Sequence, residues 1–187
     1  LLVCMYRYDP PGKKKQFRPW DVKARKHQAP RHNRPLFNLH GIMDAQRVVF
    51  VEGEKCAMAL IKQGIAATTA MHGANSPVEK TDWSPLSGKT VVIWPDKDKA
   101  GWDYAEAVTK AAQGVGANVL AILVPPDDKP EKWDAADAVA EGMDIQKFLA
   151  TAERHSPKHI ALKFKLSDWT FDRYTGPAPE REWLIRG

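Results

Sequence analysis

The sequence is poor in cysteine, and its two cysteines, Cys4 and Cys56, lie far apart. They suit neither a disulfide framework nor a Cys-x-x-Cys zinc site. No apolar run approaches the roughly 20 residues that a membrane-spanning helix needs. The apolar opening at residues 1–5 is too brief for a signal sequence. We therefore expect a soluble protein with no membrane partner, located in a reducing, intracellular compartment.

Positive charge is concentrated near the start of the chain. The formal net charge over the 187 residues is +5. Residues 1–40 hold ten Lys or Arg against two Asp, a charge of +8, so the remaining residues carry −3. Acidic side chains alone would repel a polyanion, whereas a basic arm attracts one. This division is typical of a protein that processes a polyanion.

Two short apolar runs that end on carboxylates lie in the middle of the chain. Residues 48–51 precede Glu52, and residues 91–95 precede Asp96. Uninterrupted runs rich in β-branched residues are typical of parallel strands covered on both faces. The order β-α-β, loop, β-α-β predicts an α/β fold, with a mostly parallel sheet flanked by helices. The further predicted elements are helix 54–63, strand 65–69, helix 99–113 and strand 118–124.

The acidic residues after these runs fall where α/β sheets bind ligands, outside the carboxyl ends of the strands. Residues two apart in an extended segment point to the same side, so we expect Asp96 and Asp98 to converge on one cation. Glu52 would approach it from the neighbouring strand. Oxygen ligands of this kind favour Mg²⁺ or Mn²⁺ over zinc. Alternatively, Asp98 caps a helix that begins near Lys99.

The basic segment 6–20 has the composition of a β-hairpin. Residues 8–12 (Tyr-Asp-Pro-Pro-Gly) are typical of a turn, and an aromatic and basic strand follows. We expect base or ribose stacking on Phe17 or Trp20. The alternative is a solvated loop whose two aromatic residues lie in a small core. The residues predicted to contact phosphate are Lys13, Lys14, Lys15 and Arg18.

Three acidic motifs in combination resemble those of the TOPRIM domain, in the branch found in phage and plasmid primase-helicase proteins. The similarity covers roughly residues 44–143. Residues 8–20 resemble the basic subdomain that precedes TOPRIM in such primases, and residues 179–185 resemble, more weakly, the entry to a RecA-like helicase module. The motifs are Glu52-Gly53-Glu54-Lys55, Asp96-Lys97-Asp98-Lys99-Ala100-Gly101 and Trp133-Asp134-Ala135-Ala136-Asp137.

This resemblance implies a Rossmann-like TOPRIM fold with a basic N-terminal subdomain at residues 1–42, a catalytic domain at 43–155 and a linker at 156–187. It implies a DNA primase that makes short RNA primers during phage or plasmid replication, with Mg²⁺ or Mn²⁺ as cofactor. The implied partners are single-stranded DNA, ribonucleoside triphosphates and a helicase module in the same longer polypeptide. We expect the given sequence to be a fragment of that polypeptide at both ends. The implied location is the cytoplasm of a bacterial or phage-infected cell.

The resemblance also implies roles for individual acids. Glu52 matches the glutamate that acts as general acid/base or holds a metal ion. Asp96 and Asp98 match metal ligands, and Asp134 matches an acid that serves a second cation. The third motif varies in its later acids, so the role of Asp137 stays open.

The basic neighbours of these acids have two open roles. Lys55 and Lys99 can contact nucleotide phosphates or balance local charge, and for Lys97 we favour charge balance. Cys56 stands where bacterial primases carry a further acidic residue, which leaves the metal stoichiometry open. We expect metal binding to survive Cys56→Ala and to fall strongly on Asp96→Ala.

Other functions use similar acids. A TOPRIM-type metal-dependent nuclease and a non-catalytic DNA-binding module of a replication helicase both stay open. A haloacid-dehalogenase-type phosphatase also has Asp-x-Asp after a strand, but it expects Thr or Val where this chain has Ala100, and it does not require Glu52. A topoisomerase is disfavoured, because nothing marks any of the four tyrosines as a nucleophile.

Overall fold

The computed structural model describes residues 2–13, 16–75 and 77–154. Two of the predicted phosphate contacts, Lys14 and Lys15, lie outside the described residues. The predicted linker at 156–187 lies outside them too, as does its helicase-like segment. The division into domains at residues 42 and 43 stays a prediction. Within the described residues, no helix has the length and the apolar character needed to cross a membrane.

The N-terminal segment forms the predicted hairpin. Strand β1 (Val3–Tyr8) pairs antiparallel with strand β2 (Gln16–Asp21). The turn between them includes a hydrogen bond from the Lys13 amide to the Pro10 carbonyl at 3.2 Å. Gly12 has φ +69° there, a left-handed conformation that glycine adopts without a steric cost. The hairpin is confirmed, with a first strand that begins three residues earlier than expected.

The rest of the described chain forms an α/β domain around a parallel sheet. Its strands are β3 (Arg47–Val51), β4 (Ala67–Thr68), β5 (Thr90–Trp94) and β6 (Asn118–Ile122). The spatial order is β4-β3-β5-β6, and all neighbours are parallel. The helices are α1 (Leu39–Met43), α2 (Glu54–Lys62), α3 (Lys99–Gly114), α4 (Ala135–Ala140), α5 (Ile145–Leu149) and α6 (Thr151–Arg154).

The two central strands are apolar on both faces because helices cover both. Val49 and Val51 of β3 pack into a core with α2, α4, α5 and α6. Val48 and Phe50, which alternate with them, pack into a second core with α1 and α3. This two-sided burial explains the uninterrupted apolar runs. The predicted α/β class is confirmed, and the arrangement is consistent with a Rossmann-like TOPRIM fold.

Strand register fixes where the acidic motifs begin. Val51, the last residue of β3, is the partner of Trp94, the last residue of β5. The segments that leave these two strands therefore start side by side at the carboxyl edge of the sheet. Glu52 and Asp96 follow within two residues of those ends. The fold thus brings together two acids that are separated by more than forty residues of sequence.

Candidate functional site

Glu52 is held by its backbone at the end of β3. The Thr69 hydroxyl donates a hydrogen bond to the Glu52 carbonyl at 2.9 Å. Gly73 (φ +52°) packs so closely against the same carbonyl that a Cβ there would overlap it. The side chain is partly buried. Burial raises the pKa of the Glu52 carboxyl, and the negative charges of Asp98 and Asp134 raise it further.

Asp96 has the most strongly perturbed carboxyl among these acids. Burial, followed by the charges of Glu52, Asp134 and Asp98, raises its pKa to about 7, while the Lys55 ammonium acts in the opposite direction. Burial and neighbouring negative charges both disfavour the ionised carboxyl, so they raise its pKa together. The four predicted metal-site acids therefore interact electrostatically, although they come from three separate motifs.

The chain around Asp96 turns instead of continuing as a strand. Strand β5 ends at Trp94, and the Asp98 amide donates a hydrogen bond to the Asp96 carbonyl at 2.8 Å. Our expectation of an extended Asp96–Asp98 segment is therefore wrong. Gly101 packs against this turn, because a Cβ at that position would lie 2.5 Å from the Asp96 carbonyl oxygen. A side chain at position 101 would push the turn away from the sheet edge.

Two of the predicted metal ligands also cap helices. Asp98 Oδ1 accepts a hydrogen bond from the Gly101 amide at 2.7 Å, which makes it the N-cap of α3. Asp134 forms a capping box with Asp137 at the start of α4. The cap explains the local backbone without requiring a metal. In each case the capping bond engages Oδ1, so a metal role for the second oxygen stays a prediction.

Lys55 is the basic residue most closely tied to the acids. Its ammonium lies 3.2 Å from Asp134 Oδ2 and 3.5 Å from Asp137 Oδ1. Desolvation lowers the pKa of Lys55, but the hydrogen bond and the charge of Asp134 outweigh it, so the net shift is upward. The side chain is 70% exposed, so the ion pairs are open to competition from an anionic ligand.

The other predicted basic contacts lie further from the acids. Lys99 pairs with Asp103 on the exposed side of α3, at 2.6 Å. Arg18 lies on β2, where its guanidinium bonds to Gln16 Oε1 at 2.8 Å. Lys13 is exposed in the hairpin turn. Their roles as nucleic-acid or nucleotide contacts stay predictions.

Lys97 has a structural role that the sequence did not indicate. Its ammonium donates to the carbonyl oxygens of Pro126, Asp127 and Lys129, at 2.7, 2.8 and 2.5 Å. Its backbone also exchanges hydrogen bonds with the segment 132–133. Lys97, in the second acidic motif, therefore holds the loop before the third motif and the start of that motif by hydrogen bonds. Our expectation that it only balances charge is incomplete.

A cleft lined by Glu52, Asp96 and Asp134 reaches from the sheet edge to the hairpin and has a volume of about 950 Å³; Asp98 is not among its lining residues. Helix α2 begins at this edge, and its N-terminal dipole favours negative charge there. His72 also lines the cleft and has φ +70°, a strained value for a residue with a side chain. Residues of the hairpin and acids of the sheet edge both line the cleft, among them Met5, Arg7, Phe17, Glu52, Asp96 and Asp134.

The acids fit a hard divalent cation by their chemistry, because carboxylate oxygens are the ligands that Mg²⁺ and Mn²⁺ prefer. Burial, followed by the charges of neighbouring carboxylates, raises the pKa values of Glu52 and Asp96. Within the described residues, however, no three carboxylate, imidazole or thiol groups lie close enough together to form an assembled metal site. The donor set fits such a cation, but its coordination geometry is not formed.

Sequence reasoning missed Thr69, Gly73 and Lys97, which hold the backbone around the acids, and His72, which lines the cleft. Only His72-Gly73 carries a local signal, since a glycine in a connector can mark a close backbone approach. The contacts of Thr69 and Lys97 join segments 17 and about 30 residues apart. Such contacts depend on the tertiary fold and leave no pattern in the neighbouring sequence.

Comparison with known proteins adds little to this geometry. No family model matches the chain, and no curated protein does. Among solved structures, one described as the structure of the DnaG catalytic core is similar, with a TM-score of 0.48 and 18% sequence identity. The match covers 82% of this chain and 53% of that one, so the chain spans about half the length of that structure. At this level the likeness carries no argument about function.

Proposed function

We propose that this chain is the catalytic core of a DNA primase of the phage or plasmid type. It would join ribonucleotides into short primers on single-stranded DNA during replication, with Mg²⁺ or Mn²⁺. The observation that carries this proposal is that Glu52, Asp96 and Asp134 line one cleft, where burial and then the charges of the neighbouring acids raise the pKa values of Glu52 and Asp96. The cleft also borders the basic hairpin, which suits a polyanionic template.

The residues have separate roles in this proposal. Glu52 acts as general base toward the primer 3′-hydroxyl, because a carboxyl with a raised pKa accepts a proton more readily near neutral pH. Asp96, Asp98 and Asp134 hold the cations. When bound, these cations neutralise the triphosphate and increase the acidity of the hydroxyl. The exposed ammonium of Lys55 would exchange its carboxylate partners for a nucleotide phosphate.

The test is incorporation of labelled ribonucleotides on single-stranded DNA with Mg²⁺ or Mn²⁺, using the native chain, Glu52→Gln and Asp96→Asn. We expect short, template-dependent products from the native chain and none from either variant. Asp128→Asn serves as the control, because Asp128 is an exposed carboxylate in a loop. It should retain native activity.

The alternative outcomes separate the rival functions. Metal-dependent cutting of the template without synthesis would assign the site to a nuclease. DNA binding without either reaction would leave a non-catalytic module. Synthesis that persists in Glu52→Gln and Asp96→Asn would contradict the assignment of these residues, even if primers were made.

A further inference from the structure

The hairpin of β1 and β2 has two faces of different chemistry. Side chains alternate between the faces of a strand, and Met5, Arg7 and Phe17 line the acidic cleft. Tyr6 and its cross-strand partner Arg18 therefore belong to the opposite, outer face. The strand residues of this outer face are Cys4, Tyr6, Tyr8, Gln16, Arg18 and Trp20.

Aromatic rings and cations form a hollow of about 430 Å³ on the outer face. Arg7 contributes to its lining as well as to that of the acidic cleft. Tyr6 and Tyr8 are 52% and 53% exposed. The His27 ring lies 4.7 Å from the Trp20 ring and 5.9 Å from the Tyr6 ring, measured between centroids. The Arg18 guanidinium carbon lies 5.2 Å from the centre of the Tyr8 ring. The exposed rings of Tyr6 and Tyr8 thus lie next to the Arg18 guanidinium, and the rings of Trp20 and His27 complete the lining of the hollow.

Charge favours a polyanion as the occupant. The strand residues of the outer face include no carboxylate and no aliphatic side chain. The two aspartates among residues 1–40 are engaged elsewhere: Asp9 pairs with Arg7 at 2.8 Å, and Asp21 accepts a bond from the Ala24 amide at 2.9 Å. Nucleic-acid bases stack on aromatic rings while phosphates contact cations.

The spacing of the rings distinguishes single strands from duplexes. Tyr6 and Tyr8 are two residues apart on a strand, a separation of about 6.8 Å. Neighbouring bases in a duplex strand lie about 3.4 Å apart, and their flat faces are covered by stacking. Only an extended single strand can place one base on each ring. The geometry therefore excludes stacking of duplex bases on both rings.

We propose that the outer face of the hairpin is a second nucleic-acid site, separate from the acidic cleft, which binds single-stranded DNA. Its bases stack on Tyr6 and Tyr8, and Arg18 contacts a phosphate. The choice of DNA rests on the proposed primase function. The site holds template that lies outside the cleft, so its loss weakens template binding without removing any acid of the reaction centre.

The experiment measures fluorescence anisotropy of a labelled oligothymidylate with the full chain and EDTA, so that no cation occupies the cleft. Stacking contributes about 1–3 kcal/mol per base, so Tyr6→Ala and Tyr8→Ala should each weaken binding by roughly tenfold. Tyr6→Phe and Tyr8→Phe retain the ring and should bind like the native chain. Arg18→Gln should reduce the slope of log affinity against log salt by about 0.7. Lys110→Gln, on the exposed side of α3, is the charge control.

Native affinity in both alanine variants would overturn the proposal, and so would equal loss in the phenylalanine variants, since stacking does not need the hydroxyl. Tighter binding of a duplex would overturn it as well. A 5-bromodeoxyuridine oligonucleotide supplies a second readout, because ultraviolet cross-links should map to Tyr6 or Tyr8; cross-links confined to the cleft would contradict the second site.

Primer synthesis is measured on the same proteins, so that the two proposals fail separately. A native chain that binds through the outer face but makes no primers contradicts the primase function and leaves the second site standing. If the native chain makes primers and the Tyr6→Ala and Tyr8→Ala variants bind DNA with native affinity, only the second site is contradicted.

Discussion

Replacing Asp96 by Asn should stabilise the metal-free protein at pH 8. The Asp96 pKa of about 7, against an ordinary value of 3.8, corresponds to a ceiling of about 4 kcal/mol at pH values above both. The side chain is only partly buried, and solvent screening reduces that ceiling. We therefore expect about 1–2 kcal/mol in the free energy of unfolding, or about 3–6 °C in Tm for a domain of this size.

The sign of the pH dependence follows from the raised pKa of Asp96. The folded chain holds the Asp96 proton up to about pH 7, whereas the unfolded chain releases it near pH 3.8. The contribution of this group to stability is therefore fully present below about pH 4 and lost as the pH rises to 7. Asp96→Asn does not titrate, so its advantage over the native chain should grow across that window.

The assay is urea denaturation at pH 5 and pH 8, with EDTA and with Mn²⁺. Mn²⁺ at a hundred times its dissociation constant should stabilise the native chain by about 2.7 kcal/mol, and Asp96→Asn by much less. Asp128→Asn is the matched control and should follow the native chain. A variant that is less stable than the native chain with EDTA at pH 8, or that gains equally from Mn²⁺, would refute the reasoning.

Three further predictions concern single positions. Lys97→Met should destabilise the fold by about 2 kcal/mol, because the carbonyls of loop 126–129 lose a charged donor; faster amide exchange in that loop checks this. His72→Gly should raise Tm, because it relieves a left-handed conformation worth about 1–2 kcal/mol; a fall in Tm would contradict it. Cys56→Ala should retain Mn²⁺ affinity by calorimetry while Asp96→Ala loses it, because burial raises the Cys56 pKa to about 12 and keeps the thiol protonated; equal losses would contradict the ligand assignment.

The central sheet was predictable from sequence because β3 and β5 are buried on both faces, which leaves a visible apolar run. The strand ends were less predictable. The strand expected at 65–69 shortens to Ala67–Thr68, and the Thr69 hydroxyl bonds to the Glu52 carbonyl beyond its end. Strand β6 ends at Ile122, shortly before Pro125 and Pro126, which have no amide hydrogen with which to continue a ladder.

The candidate site was predictable as a set of acids but not as a geometry. The carboxyl ends of adjacent parallel strands lie at one edge of the sheet for any loop conformation. That Glu52 and Asp96 lie near each other therefore follows from strand order alone. The side-chain partners do not follow. The helix caps of Asp98 and Asp134 and the ammonium contacts of Lys97 depend on turns whose conformations are set by contacts distant in sequence.

The same geometry makes the cation a contributor to stability as well as to chemistry. Gly73 and Gly101 pack closely against the backbones of Glu52 and Asp96, so a substitution at either glycine would displace the backbone that carries an acid. The ammonium of Lys55 offsets only part of the upward shift that burial and the neighbouring carboxylates produce, because the pKa of Asp96 stays at about 7 in its presence. A divalent cation would remove the remaining repulsion. We therefore expect a divalent cation to raise the free energy of unfolding even when neither nucleotide nor template is present.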